Sequence, residues 1–219
     1  MGATRWAGPF RLAGTAPLIA SAGMVAAALA GAVTVLSLGP LSLLMLLHIA
    51  TMSLAAPLVA AALASASWRR VPPAAMPLAA ILQLVLLWTL HAPPVVENGS
   101  LLLHAALQVA LFAAAVVFWL AIAAATERAS WSLVAALLVT GKLACLAGAL
   151  LVFSPRRIYA VAGFCSSGQV SLDDQHLAGL LMITACPLSY LVAGVVAATR
   201  LIPDPDDESR GRAGCVHAR

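Results

Sequence analysis

Histidine is the residue type in this chain best suited to chemistry, and four of its five copies gather on one side once the apolar segments are laid out. His91 and His104 flank one short polar break, and His176 opens the last long apolar run. His48 lies about seven residues into another run, ~10 Å below its end at the helical rise per residue. The fifth, His217, is in the polar tail. Methionines accompany them: Met45 stands three residues before His48, Met52 one turn after it, and Met182 six residues after His176. Imidazole with thioether is a ligand set that suits Cu(I). The competing structural role is ordinary. A histidine near a helix end serves as an interfacial polar group, and a methionine inside a membrane packs as an apolar side chain.

Lys142 is the other unusual residue. It lies near the middle of an apolar run, where an unpaired ammonium costs at least ~2.5–3.5 kcal/mol on insertion scales. It can snorkel, pair or lose its charge. No carboxylate occurs inside any apolar run, so its candidate partners are Gln83, Gln108, backbone carbonyls, or Asp173 and Asp174 folding back. The same absence argues against a proton relay or cation pump, which needs ionisable groups across the membrane. The four cysteines, Cys145, Cys165, Cys186 and Cys215, are scattered singly without a C-x-x-C pair, so Cys145 and Cys186 read as small apolar packing residues.

The elements that must position these groups are set by composition. With 63% apolar residues, 9% charged residues and a mean hydropathy of +1.01, the chain falls outside the range of water-soluble domains. Uninterrupted apolar runs place helices at 17–38, 41–66, 74–91, 101–125, 131–153 and 177–201. The expected fold is therefore all-α, a bundle of about six transmembrane helices, with a polar tail over 203–219. The breaks are short except 154–176, and a loop of that length is where a structured segment is expected. The first run, preceded by Arg5 and Arg11, also resembles a secretory signal, but its length favours a retained helix. With the N-terminus inside, nine arginines face the cytoplasm and only Arg156 and Arg157 lie outside. Both termini are thus expected in the cytoplasm, with His48, His91, His104 and His176 in the outer half. The net charge of +4 forms no basic stripe with interleaved aromatics, so nucleic acid is not an expected partner and membrane lipid is.

Three stretches resemble the CtaG family of cytochrome c oxidase assembly factors, polytopic proteins of bacterial inner membranes. The most specific is the outer loop with the last helix. There Leu151-Val152-Phe153-Ser154-Pro155-Arg156-Arg157-Ile158-Tyr159 precedes Asp174-Gln175-His176-Leu177-Ala178-Gly179-Leu180-Leu181-Met182. The second is His48 followed by Ala56-Pro57-Leu58. The third is Trp88 with His91-Ala92-Pro93, then His104 leading to Phe118-Trp119. Two departures concern histidine: Leu44 and Gln108 stand where relatives often carry a further one, and His176 occupies a position that is often glutamine. The chain also has six expected spans where relatives often have seven.

The resemblance implies a multi-pass protein of the bacterial inner membrane that serves cytochrome c oxidase subunits, by handling copper or by chaperoning a subunit at the outer face. On that basis His48, His91, His104 and Met182 are the expected Cu(I) ligands, with Met52 and His176 in reserve. Asp174 and Gln175 are expected to orient the ligand imidazoles, or Asp173 or Asp174 to cap the last helix. The alternatives are a haem-binding membrane cytochrome, a transporter and a metal-free scaffold for oxidase subunits. No Ser, His and carboxylate pattern suggests an enzyme.

Overall fold

Pro40 opens the first helix described by the computed structural model, which covers residues 38–63, 72, 75–125, 131–160 and 170–201. Proline suits this first position because its φ is preset and its missing N–H would find no helical partner there. The helix, α1, runs Pro40–Leu63, but its middle segment Ala50–Ala55 is wound as a π-helix. Pro57 accounts for the widening. In a regular α-helix its ring would clash with the Ser53 carbonyl and could offer it no N–H. The π-turn lets the Ala56 N–H bond to the Thr51 carbonyl instead, and it re-aims the turn that carries His48 relative to the turns below.

Six further helices follow: α2 Ala75–Leu90, α3 Pro93–Asn98, α4 Leu101–Ala125, α5 Trp131–Phe153, α6 Leu172–Thr184 and α7 Leu188–Thr199. The last two form one interrupted span, Leu172–Thr199, with a turn at Ala185, Cys186 and Pro187. Pro187 removes the N–H that the Ile183 carbonyl would otherwise receive. Side chains of neighbouring helices take over part of this pairing. Cys145 Sγ of α5 lies 3.8 Å from the Ile183 carbonyl, and Ser53 Oγ of α1 donates to the Cys186 carbonyl at 2.9 Å.

Every regular element among the described residues is helical, and Pro40–Leu63, Leu101–Ala125, Trp131–Phe153 and Leu172–Thr199 are each long and apolar enough to cross a membrane. Four such helices are compatible with a multi-pass helical membrane protein. The expected helices at 101–125 and 131–153 appear with those bounds. α2, with 16 residues, is apolar but falls short of the 74–91 expected. The last span begins at Leu172 rather than 177, because Ser171 caps it by accepting the Asp174 N–H at 3.0 Å. The expected first span, 17–38, and the tail from 203 lie outside the described residues.

The N-terminal half of α1 packs on α6 and its C-terminal half on α4; α6 lies along α5, α5 touches α2, and α2 runs along α4, closing a ring. Where α5 and α6 approach most closely, Gly148 and Gly179 face each other. A Cβ on Gly148 would sit 2.9 Å from the Gly179 carbonyl oxygen, and one on Gly179 would sit 2.7 Å from the Gly148 oxygen. Lipid supplies no hydrophobic force to drive helices together, so such close backbone contact is a main source of their attraction. The outer faces stay apolar: Leu102 is 79% and Phe153 80% exposed, a surface matched to lipid rather than water.

Candidate metal centre

One end of the bundle is tied together by hydrogen bonds from buried polar side chains. Asp174, in the first turn of α6, accepts the Leu41 N–H and the Ser42 N–H of α1, both at 3.0 Å, and its own carbonyl accepts from Ser42 Oγ at 3.1 Å. The residue expected either to cap its own helix or to orient a ligand therefore caps α1, while Ser171 caps α6. Any Cβ at Gly39 would collide with the Asp174 carboxylate. Gln175 is fully buried and bonds not to imidazole but to the last turn of α5 and the segment after it. Its Nε2 donates to the Leu151 and Arg156 carbonyls at 3.2 and 3.3 Å, and its Oε1 accepts the Ile158 N–H at 2.6 Å. The next residue, Tyr159, donates its hydroxyl to the His91 carbonyl at 2.7 Å, and the Ala160 N–H donates to Glu97 at 2.7 Å.

Beneath this seal His48 and His91 meet, both buried, with ring centroids 5.4 Å apart in an edge-on arrangement. His91 Nδ1 lies 2.6 Å from the Leu87 carbonyl, which can only accept, so the ring proton is on Nδ1 and Nε2 carries a lone pair. That lone pair faces Met45 Sδ at 3.3 Å. A thioether has no hydrogen to donate, so two electron-pair donors point at each other. His48 Nε2 lies 4.0 Å from Cys186 Sγ, and His48 Nδ1 has no hydrogen-bond partner among the described residues. Two imidazoles, a thioether and a thiol thus converge from α1, the end of α2 and the α6–α7 turn.

Among the described residues no group of three or more His, Cys, Asp or Glu side chains stands close enough to hold a metal ion, and what the cluster offers is two adjoining nitrogen–sulfur pairs. With bonds of about 2.0 Å to nitrogen and 2.3 Å to sulfur, as zinc makes, two ligands of one ion lie up to about 4.3 Å apart, and both observed nitrogen–sulfur distances fall within that reach. No carboxylate belongs to the cluster, which disfavours calcium or magnesium. The edge-on contact of the rings leaves no space for a porphyrin between His48 and His91.

The other expected ligands occupy different settings. His104 is buried in the first turn of α4, with Nδ1 3.1 Å from the Ser100 carbonyl and its ring against Gly99. His176 is half-buried and sits beside the Ser154 carbonyl at 3.3 Å, at the top of α6. Met182 is fully buried at the α5–α6 contact beside Gly148, and Met52 is buried in the π-segment. Of the partners considered for Lys142, Gln83 bonds to the Tyr190 hydroxyl, Gln108 donates to Thr51 Oγ1 at 2.8 Å, and Asp174 caps α1. Lys142 itself is exposed on the outside of α5.

Sequence reasoning passed over Cys186 as a packing residue and placed Met45 near the site without making it a ligand. The signal for Cys186 was Pro187 beside it, since a proline inside an apolar span marks a break where side chains are re-aimed. No family model matches the chain, and no curated protein and no solved structure shows significant similarity to it.

Proposed function

We propose that this chain is an assembly factor for cytochrome c oxidase in a bacterial inner membrane, and that it holds Cu(I) between His48, His91, Met45 and Cys186. The observation that carries this reading is the His91 Nε2 lone pair aimed at the Met45 sulfur, with a second imidazole and a thiol adjoining. Copper of this oxidation state prefers such nitrogen and sulfur donors, and weak, similar sites exchange it readily. The arginine distribution supports an outward-facing position for this end of the bundle. The CtaG-like residues Tyr159, Asp174 and Gln175 lie in the seal over the cluster, which supports a shared architecture.

In this role α1 and the end of α2 supply the imidazoles, the Leu87 carbonyl fixes the His91 tautomer, and the Asp174 and Tyr159 hydrogen bonds hold the helices in register. The bound ion supplies exchangeable copper for an oxidase subunit. The test is Cu(I) binding by purified protein in competition with a chromophoric chelator, alongside a His48, His91 double alanine variant. Stoichiometric copper in the wild type and loss in the variant is expected. Copper in neither leaves a metal-free scaffold for oxidase subunits.

A further inference from the structure

The middle of α5 presents a lysine on the outside of the bundle. Lys142 is the twelfth of the 23 residues of α5, so roughly 16 Å of helix separates it from either end. That is farther than its side chain can snorkel in a hydrocarbon layer about 30 Å thick. Its side chain is exposed and makes no hydrogen bond or ion pair with a described residue. It lines a cavity of about 190 Å³ between α5 and the α6–α7 turn, together with Leu138, Cys145, Ile183, Pro187 and Leu191. Here the Ile183 carbonyl, released by Pro187, has as its hydrogen-bond donor among the described residues the weak thiol of Cys145 at 3.8 Å.

We infer that this groove docks one membrane-spanning helix of a different protein, a helix that carries an aspartate or glutamate near its midpoint. Charge complementarity selects the occupant. A desolvated ammonium needs an anion, and all eight carboxylates of this chain, at 97, 127, 173, 174, 204, 206, 207 and 208, lie at span ends or in polar segments. A second copy therefore brings no carboxylate to the depth of Lys142, and neither does segment 1–37, which contains none. Lipid phosphates stay at the membrane edge, out of reach of the groove. Exposed Leu138 and Leu191 provide apolar walls for a helix, and the Ile183 carbonyl can accept from a polar neighbour of the incoming carboxylate. None of the four proposed copper ligands lines the groove, so this inference stands apart from the copper reading.

The test uses the full chain in lipid bilayers with three synthetic leucine–alanine helices that carry Glu, Gln or Leu at the centre, read by energy transfer between labels. The Glu helix is expected to associate at least about tenfold more tightly than the Leu helix, a difference of about 1.4 kcal/mol. The preference disappears in Lys142→Met and survives in Lys142→Arg, while Lys142→Glu transfers it to a helix with central Lys. Equal association of the Glu and Gln helices, or a preference that persists in Lys142→Met, overturns the inference. So does self-association of the chain that depends on Lys142, which would make a second copy the occupant.

Discussion

Tyr159 donates its hydroxyl to the backbone carbonyl of His91 at 2.7 Å, tying the loop after α5 to the residue that brings an imidazole into the bundle. The tyrosine is buried, as is the histidine. Tyr159→Phe leaves that carbonyl without its partner and is expected to cost about 1–3 kcal/mol in denaturation of the purified protein. Chelator competition should also show weaker Cu(I) binding. An unchanged denaturation midpoint would mean that the bond contributes nothing.

The same hydroxyl predicts a pH effect. Burial, reinforced by the nearby negative charge of Glu97, pushes the Tyr159 hydroxyl up to about 12, against ~10 in an unfolded chain. Between those values the unfolded chain has released a proton that the folded protein still holds. Stability is intact below pH ~10 and falls as pH rises toward about 12. The difference in stability between wild type and Tyr159→Phe should shrink over that interval, and a constant difference would refute the assignment.

Asp174 caps α1 with a charged acceptor, so Asp174→Ala is expected to destabilise the bundle by about 2–3 kcal/mol. Gly39→Ala should destabilise as well, because its methyl would occupy space held by the carboxylate. The exposed neighbour Asp173 provides the control, and its alanine variant should stay within about 0.5 kcal/mol of wild type. Thermal melting in detergent distinguishes the three.

Copper affinity should map onto contacts rather than onto residue type. His48→Ala and His91→Ala are expected to lower Cu(I) affinity by about a hundredfold, and Met45→Leu and Cys186→Ser by about tenfold each. His176→Ala and Met182→Leu should leave it nearly unchanged. If Met182→Leu proves as damaging as Met45→Leu, the cluster is not the binding site.

Pro187 holds the turn that presents Cys186, and Pro187→Ala restores an N–H for the Ile183 carbonyl. The variant is expected to melt no lower than wild type yet to bind Cu(I) about tenfold more weakly, as the straightened helix carries the thiol away from His48. Equal affinity would show that the break does not position Cys186.

Much of the bundle was legible because lipid imposes one rule on every spanning segment, which must be long, apolar and internally hydrogen-bonded. The bounds of α4 and α5 follow from that rule alone. The same rule singled out His48 and His91, since a polar residue in an apolar run needs a reason to be there. Their partners were not legible. Met45 and Cys186 look like filling in any apolar run, and the displacement of Asp174 onto another helix leaves no trace in local spacing.

Hydrophobicity and punctuation, which are properties of short stretches, thus determined by themselves that the chain forms helices long and apolar enough to cross a membrane, with four of its five histidines assigned toward one side. Which side chains meet depended on the π-turn before Pro57, the break at Pro187 and the close approach of Gly148 to Gly179. These set the rotation and separation of whole helices. A side chain's neighbours across a bundle are fixed by those rigid-body quantities, and tertiary packing alone decides them.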